Sequence, residues 1–328
     1  MIQKISFVIP CYKSSKTLPS VVNEIRETME THPDKYLYEI ILVNDCSPDD
    51  TFSVIQSLSE KYENTLGIDL AKNFGQHAAL MAGYHYASGD VIVSLDDDGQ
   101  TPANEVGKLL SKLDEGYDVV YAQYEHKQHS VFRNLGSKAN SLMAEVMLGK
   151  PKDLYISSYF AAKRYVIDEA KRYQGAFPYV IGLILRSTKR IANVSVCHRE
   201  RADGTSGYTL RKLLALWING FTSFSVKPLH FASYVGLFSA ILGTLYLFYV
   251  VIIYFISHSA PAGWSTLISI VLILGGLTLL MLGLIGEYVG RIYMCINNSP
   301  QYVVRTTTAS NEDLQEKLKR ICTIEQDR

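Results

Sequence analysis

The residues best equipped for chemistry lie in "VSLDDDGQTP", Val93 to Pro102, where three successive carboxylates follow a run that reads as a buried strand. Three like charges at the mouth of an apolar strand repel one another unless a cation sits among them. Asp96 and Asp98 are two residues apart, which on an extended segment points both to one side. An all-oxygen pair of this kind suits a hard ion, Mg2+ or Mn2+, which takes one or two protein carboxylates and fills its shell with water and phosphate oxygens. The plain alternative is a solvated acidic turn, or a cap from Asp98 or Thr101 for a helix starting at Pro102.

Other polar residues recur at comparable places. "ISFVIP" (Ile5–Pro10), "YEIILVND" (Tyr38–Asp45), "TLGIDLA" and "DVIVSLDD" read as strands. Between them lie helical runs starting near Thr17, near Asp50 and in "QHAALMAGYHYA". This alternation predicts an α/β fold, a mostly parallel sheet with helices on both faces. Ligands of such sheets bind beyond the carboxyl ends of the strands. Tyr12, Asp45, Lys72 with Asn73, and Asp96 to Asp98 fall at those four ends. Each has a bland reading as well: Tyr12 as a packed aromatic, Asp45 as a cap of the turn "DCSPDD", Lys72 as a solvated charge. No glycine-rich dinucleotide or P-loop motif is present, so phosphates here need a metal and cationic side chains.

The 328 residues carry no formal net charge, which gives no general pull toward nucleic acid. Five scattered cysteines form no CxxC pair and no zinc spacing. "MIQKISFVIP" is too short and strand-like for a signal peptide.

Hydropathy is strongly uneven. Pro228 to Gly286 contains no Asp, Glu, Lys or Arg. A bilayer-spanning helix takes roughly 20 apolar residues, so the stretch predicts two spans, about 231–256 and 265–285, joined by "SHSAPAGWS". A buried hairpin of a soluble core is the competing reading. Arg211, Lys212 and Lys227 precede the first span, Arg291 follows the second, and the connecting loop has no Lys or Arg. The positive-inside rule then predicts a multi-pass protein of the cytoplasmic (inner) membrane with both termini cytoplasmic. The expected organisation is a catalytic domain over 1–208, an amphipathic interfacial helix over 209–228, the two spans within 229–290, and a cytosolic tail over 291–328. In the interfacial segment Leu210, Leu213, Leu214, Trp217, Ile218 and Phe221 follow helical spacing; packing on the domain core is the alternative. A short helix in the tail after Asn311 would serve contacts in a homo-oligomer, or nothing in particular.

Several ordered motifs together resemble the family 2 glycosyltransferases with the Rossmann-like GT-A fold, specifically the branch acting on polyprenyl phosphates. "VIPCYKSSKTL" resembles V-P-x-Y-N-E, and "VNDCSPDDT" is similar to V-D-D-G-S-x-D-x-T. "LAKNFGQHAAL" resembles S-R-N-F-G-x-x-A-A, and "SLDDDGQTP" resembles D-x-D-L-Q-x-P. "HRERADGTSGY" is similar to H-x-x-R-x-x-G-x-S-K-Y, and "GLIGEYVGRIY" to G-E-Y-[IV]-G-R-[IV]-Y. The resemblance runs from about Ile5 to Tyr302. It implies inverting transfer of one sugar from a nucleotide-sugar, UDP-linked, to a polyprenyl (undecaprenyl) phosphate for cell-envelope glycan modification. It also implies that Tyr12 and Asp45 contact a uridine-type base, that Lys72 joins them, that Asp96 lies by the ribose or diphosphate, and that Asp98 binds the metal.

The implied nucleophile is a lipid phosphate, mostly dianionic above its second pKa of about 6, so it needs little help from a base. What it needs is countercharge and alignment. Arg133 in "HSVFRNLGSK" and Arg201 in "RERADGTSGY" offer forked donors suited to phosphate, with Ser206 beside the second.

Three departures from the family pattern stand out. In "SSYFAAKR", Ser158 takes an acidic position and Phe160 an arginine position; Gly207 replaces the lysine of S-K-Y; Lys13 and Ser14 replace Asn-Glu. A carboxylate base at position 158 is therefore in doubt. Two other readings remain: a processive polysaccharide synthase, disfavoured because Q-x-x-R-W is absent, and a non-catalytic membrane scaffold with a decayed nucleotide fold.

Overall fold

The computed structural model describes residues 3–32, 35–124, 145, 150–197, 263–297 and 299–309, with helical positions between 234 and 256. Two units are present, Met1–Tyr208 with Asn298–Arg328, and Thr209–Asn297.

The first unit is built on an eight-stranded sheet: β1 (Gln3–Cys11), β2 (Tyr36–Asn44), β3 (Thr65–Leu70), β4 (Val91–Ser94), β5 (Val119–Tyr124), β6 (Phe160–Lys163), β7 (Ile191–Val196) and β8 (Val304–Thr307). Their order across the sheet is β7-β5-β6-β4-β1-β2-β3-β8. β3, β2, β1 and β4 are parallel neighbours, and β5 and β7 also pair in parallel. Among the described residues only β6 and β8 pair antiparallel with their neighbours. The four strands expected from the sequence are all present as parallel strands. β5 to β8 were not anticipated; β6 and β8 have only four residues each and too little alternation to register.

Helices cover both faces. α1 (Leu18–Glu30), α2 (Thr51–Lys61) and α4 (Val106–Asp114) lie on the face to which β1 turns Ile5, Phe7, Ile9 and Cys11. α1 buries Leu18, Val21, Val22, Ile25 and Met29, the apolar stripe of a helix on a sheet, and Pro19 fits its first turn. α3 (Gln76–Tyr86) lies on the opposite face, against Val8 and Val43. Strands covered on both faces read as unbroken apolar runs, which is why β1 and β2 were legible. Gly83 permits the close approach of α3: a Cβ there would sit 2.4 Å from Val8 Cγ1 and 3.1 Å from Val43 Cγ2. α5 (Arg164–Lys171) and α6 (Val180–Ser187) pack together beside α3.

The helix expected at Pro102 begins as a 3-10 turn over Ala103–Glu105 and continues as α4. Neither Asp98 nor Thr101 caps it: the Asp98 carboxylate accepts from the Gln100 N–H at 3.1 Å, and the Thr101 hydroxyl donates to the Asp96 carbonyl at 3.4 Å.

In the second unit α7 (Trp264–Ile296) is a single helix of 33 residues, about 50 Å long at 1.5 Å per residue. It runs eleven residues beyond the expected end of the second span, and its stretch Ile273–Ile296 is long and apolar enough to cross a membrane. Leu267, Ile270, Val271, Leu274, Leu279 and Leu282 are exposed, as suits a helix with lipid around it. A shorter apolar helix covers Tyr234–Gly243, and further helical positions extend to Ile256. The expected interfacial helix (209–228) and the tail helix after Asn311 lie outside the described residues.

Candidate active site

The site forms where β1, β2, β3 and β4 end. β4 stops at Ser94, so the three aspartates occupy a bent segment rather than an extended one. Gly99, at φ 73°, makes the turn that follows. The carboxylates therefore do not alternate as on a strand, and each has its own hydrogen-bond partners. Asp96 accepts from the Ser158 hydroxyl and, at 3.1 Å, from Gln76 Nε2. Asp97 accepts the Tyr12 N–H at 2.9 Å, while its carbonyl accepts the Thr17 hydroxyl at 2.6 Å. The middle aspartate thus joins the end of β4 to the loop after β1.

Electrostatics mark the same cluster. Burial pushes the Asp96 carboxyl up to about 6; Ser158 opposes this, and the charges of Asp98 and Asp97 add to it. Asp97 is raised too, again chiefly by burial and further by Asp98. Tyr124, half-buried at the end of β5, has its phenol pushed up by burial and by the negative charge of Asp96.

Asp45 does not close its own turn. It is 4% exposed and accepts two backbone N–H groups, from Phe74 at 2.7 Å and Gly75 at 2.8 Å. Burial raises its pKa, and those two amides lower it. Gly75 adopts φ 91°, a left-handed conformation that glycine tolerates, and so brings both amides to one carboxylate. Each oxygen keeps a second lone pair for a ligand.

The contacts close a circuit. Asp45 holds Gly75; the next residue, Gln76, donates to Asp96; Asp97 holds Tyr12. The Tyr12 side chain is 47% exposed, with Lys13 Nζ 5.5 Å from its ring centre, so it is not the packed aromatic of the bland reading. Lys72 is exposed, its Nζ 4.9 Å from the Phe74 ring. Lys13 (φ 58°) and Cys46 (φ 52°) both adopt left-handed backbone uncommon outside glycine, and both adjoin site residues.

Tyr12, Asp45, Lys72, Asp96 and Asp98 thus share one edge of the sheet. Arg133, Arg201 and Ser206 lie outside the described residues. Gln76 and Tyr124 escaped the sequence reading, which named Asp97 only as part of the strand end Asp96 to Asp98 and Thr17 only as a helix start. Gln76 was quoted only as part of a motif, and nothing in the order of residues tells which strand Tyr124 would end beside.

Among the described residues no group of three or more His, Cys, Asp or Glu could hold an ion on protein ligands alone. The donor set is nonetheless of the right chemistry for a hard divalent ion: carboxylate oxygens only, with crowded negative charge that a cation would relieve.

Comparison with known proteins agrees with this architecture. Residues 6–170 match glycosyl transferase family 2, and residues 227–292 match the GtrB C-terminal hairpin. An uncharacterized glycosyltransferase, YkcC of Bacillus subtilis, is 34% identical over 92% of this chain and 93% of its own. The undecaprenyl-phosphate 4-deoxy-4-formamido-L-arabinose transferase of Yersinia enterocolitica is 32% identical over 95% of each chain. Glucosyl-3-phosphoglycerate synthase of Mycobacterium tuberculosis, solved with Mn2+ and UDP-glucose, shares the fold at a TM-score of 0.52 and 18% identity, covering 67% of this chain and 77% of that one. The chain belongs to glycosyl transferase family 2. Its matches over both the sheet and the hydrophobic segment put it in the polyprenyl-phosphate branch of that family.

Proposed function

We propose that this protein transfers a single sugar from a UDP-sugar to a polyprenyl phosphate, of undecaprenyl type, with inversion at the anomeric carbon. The observation that carries the reading is the circuit of contacts that sets Tyr12, Asp45 and Asp96 to Asp98 on one sheet edge, beyond the parallel strands. Tyr12 and Asp45 would receive the base, with Lys72 at the same rim. Asp98 and Asp96 would hold Mg2+ or Mn2+, which when bound supplies positive charge for the diphosphate leaving group. Ser158 and Gln76 keep the Asp96 carboxylate oriented by donating to it.

The acceptor phosphate brings its own nucleophilic oxygen, so the chain need not place a base at position 158, where it has a serine. Arg133 and Arg201, with Ser206, would orient that phosphate for in-line approach. The hydrophobic segment would form a two-helix hairpin, with the catalytic unit and both termini on the cytoplasmic side of the inner membrane. α7 supports the second of those spans. The relatives' polyprenyl acceptor supports the choice of nucleophile.

The test is a transfer assay: full-length protein in detergent, Mn2+, undecaprenyl phosphate and a panel of UDP-sugars. A glycolipid product from at least one donor is expected. Silence across the panel from folded protein would reject the reading, as would a growing polymer, the mark of a processive synthase.

A further inference from the structure

β8 returns to the sheet after the hydrophobic helix and places one side chain against the nucleotide rim. Arg305 Nη2 donates to the Ala71 carbonyl at 2.8 Å and lies 3.8 Å from Cys46 Sγ. Its Nη1 pairs with Asp69 Oδ2 at 3.3 Å. Asp69, buried, also accepts Asn44 Nδ2 at 2.7 Å. Asn44 Oδ1 in turn accepts the Ser47 N–H at 3.2 Å, and Ser47 Oγ accepts the Lys13 N–H at 3.2 Å. A continuous relay therefore runs from Arg305 across the ends of β3 and β2 to the loop after β1. It passes Cys46 and ends on Lys13, which among the described residues are the two non-glycine positions held in left-handed backbone.

Strained backbone persists only where surrounding contacts over-determine it. The relay supplies such contacts on the outer side of Tyr12, Asp45 and Lys72, while Asp45, Gln76 and Asp97 supply them on the inner side. A guanidinium suits the task, since two of its nitrogens serve a carboxylate and a carbonyl at once, which an ammonium cannot reproduce from one position. Resting on the proposed nucleotide site, we infer that Arg305 is a positioning residue for it: a side chain contributed after the hydrophobic helix that holds the three loops of the rim in binding geometry.

The experiment is calorimetric titration of UDP with Mn2+ into full-length protein in detergent, with thermal unfolding in parallel. Variants are Arg305→Ala, Arg305→Lys and Thr308→Ala. The Thr308 hydroxyl accepts the Gly67 N–H at 2.8 Å, so this last variant loosens the same edge of the sheet away from the rim. Arg305→Ala is expected to weaken UDP about ten-fold, and Arg305→Lys about three-fold, as charge remains while the fork is lost. Thr308→Ala should lower the melting temperature and leave UDP affinity within about two-fold. Wild-type affinity in a folded Arg305→Ala would overturn the inference, as would equal losses in Arg305→Ala and Thr308→Ala, since a merely structural strand would behave that way. If Arg305→Ala does not fold, Arg305→Lys decides by the same criterion. Failure of wild-type protein to bind UDP would instead reject the nucleotide site itself.

Discussion

Asp45 separates two roles that a sequence cannot. A carboxylate that only read a base would leave stability untouched when removed. Here it accepts the Phe74 and Gly75 amides from a buried position. Asp45→Ala would strand both N–H groups and destabilise the fold by about 2–4 kcal/mol, along with any loss of nucleotide affinity. Chemical denaturation measures this, and an unchanged midpoint would assign Asp45 to ligand contact alone. His77 gives the pH counterpart. Its ring stands edge-on to Tyr179 at 5.0 Å, its Nδ1 is buried without a hydrogen-bond partner among the described residues, and burial depresses its pKa to about 4 from an ordinary 6.5. The folded chain thus binds fewer protons than the unfolded one between those values, so this residue costs stability as pH falls from 6.5 to 4 and nothing above. His77→Phe should flatten the melting temperature across that window; an unchanged slope would count against the assignment.

At the scale of elements, α3 depends on contact with the sheet more than on helix propensity. Gly83→Ala gains about 1 kcal/mol of propensity, yet the new Cβ would lie 2.4 Å from Val8 Cγ1. Val8 belongs to a central strand and is fully buried, so overpacking of about 1–3 kcal/mol should win and lower the unfolding midpoint. Gly107, in α4, has nothing within 4 Å of its would-be Cβ, so Gly107→Ala should stabilise slightly. Opposite signs are expected, and two stabilising substitutions would contradict the packing. The same contrast explains what was legible. β1 to β4 announced themselves as apolar runs ending in polar residues. β6 enters between β4 and β5 from far along the chain, and β8 from farther still, so both depend on pairing that no local pattern encodes. For the aspartates, residue types and spacing pointed to the cluster, but not to its bent backbone or to the division of partners among three carboxylates. Ser158, first noticed as a departure from the family pattern, proved to be a partner of Asp96.

For the whole molecule, the stretch without charges is the most legible feature, because a run of that length has few uses other than lipid. α7 bears exposed apolar side chains along its length. The protein should therefore stay in the membrane pellet after alkaline carbonate extraction and need detergent for release; recovery in the supernatant would contradict a spanning helix. The reach of the C-terminal segment was not legible. Residues 299–309 come after the hydrophobic helix in sequence, yet β8 completes the edge of the catalytic sheet.

In the proposed function Asp98 and Asp96 hold an ion where a nucleotide diphosphate binds. Titrating UDP into wild-type and Asp98→Asn protein, with and without Mn2+, tests this most directly. Wild-type binding should tighten at least about ten-fold with Mn2+, and Asp98→Asn should lose that gain while keeping its fold. Equal UDP affinity with and without the ion, or a full Mn2+ effect in Asp98→Asn, would contradict it.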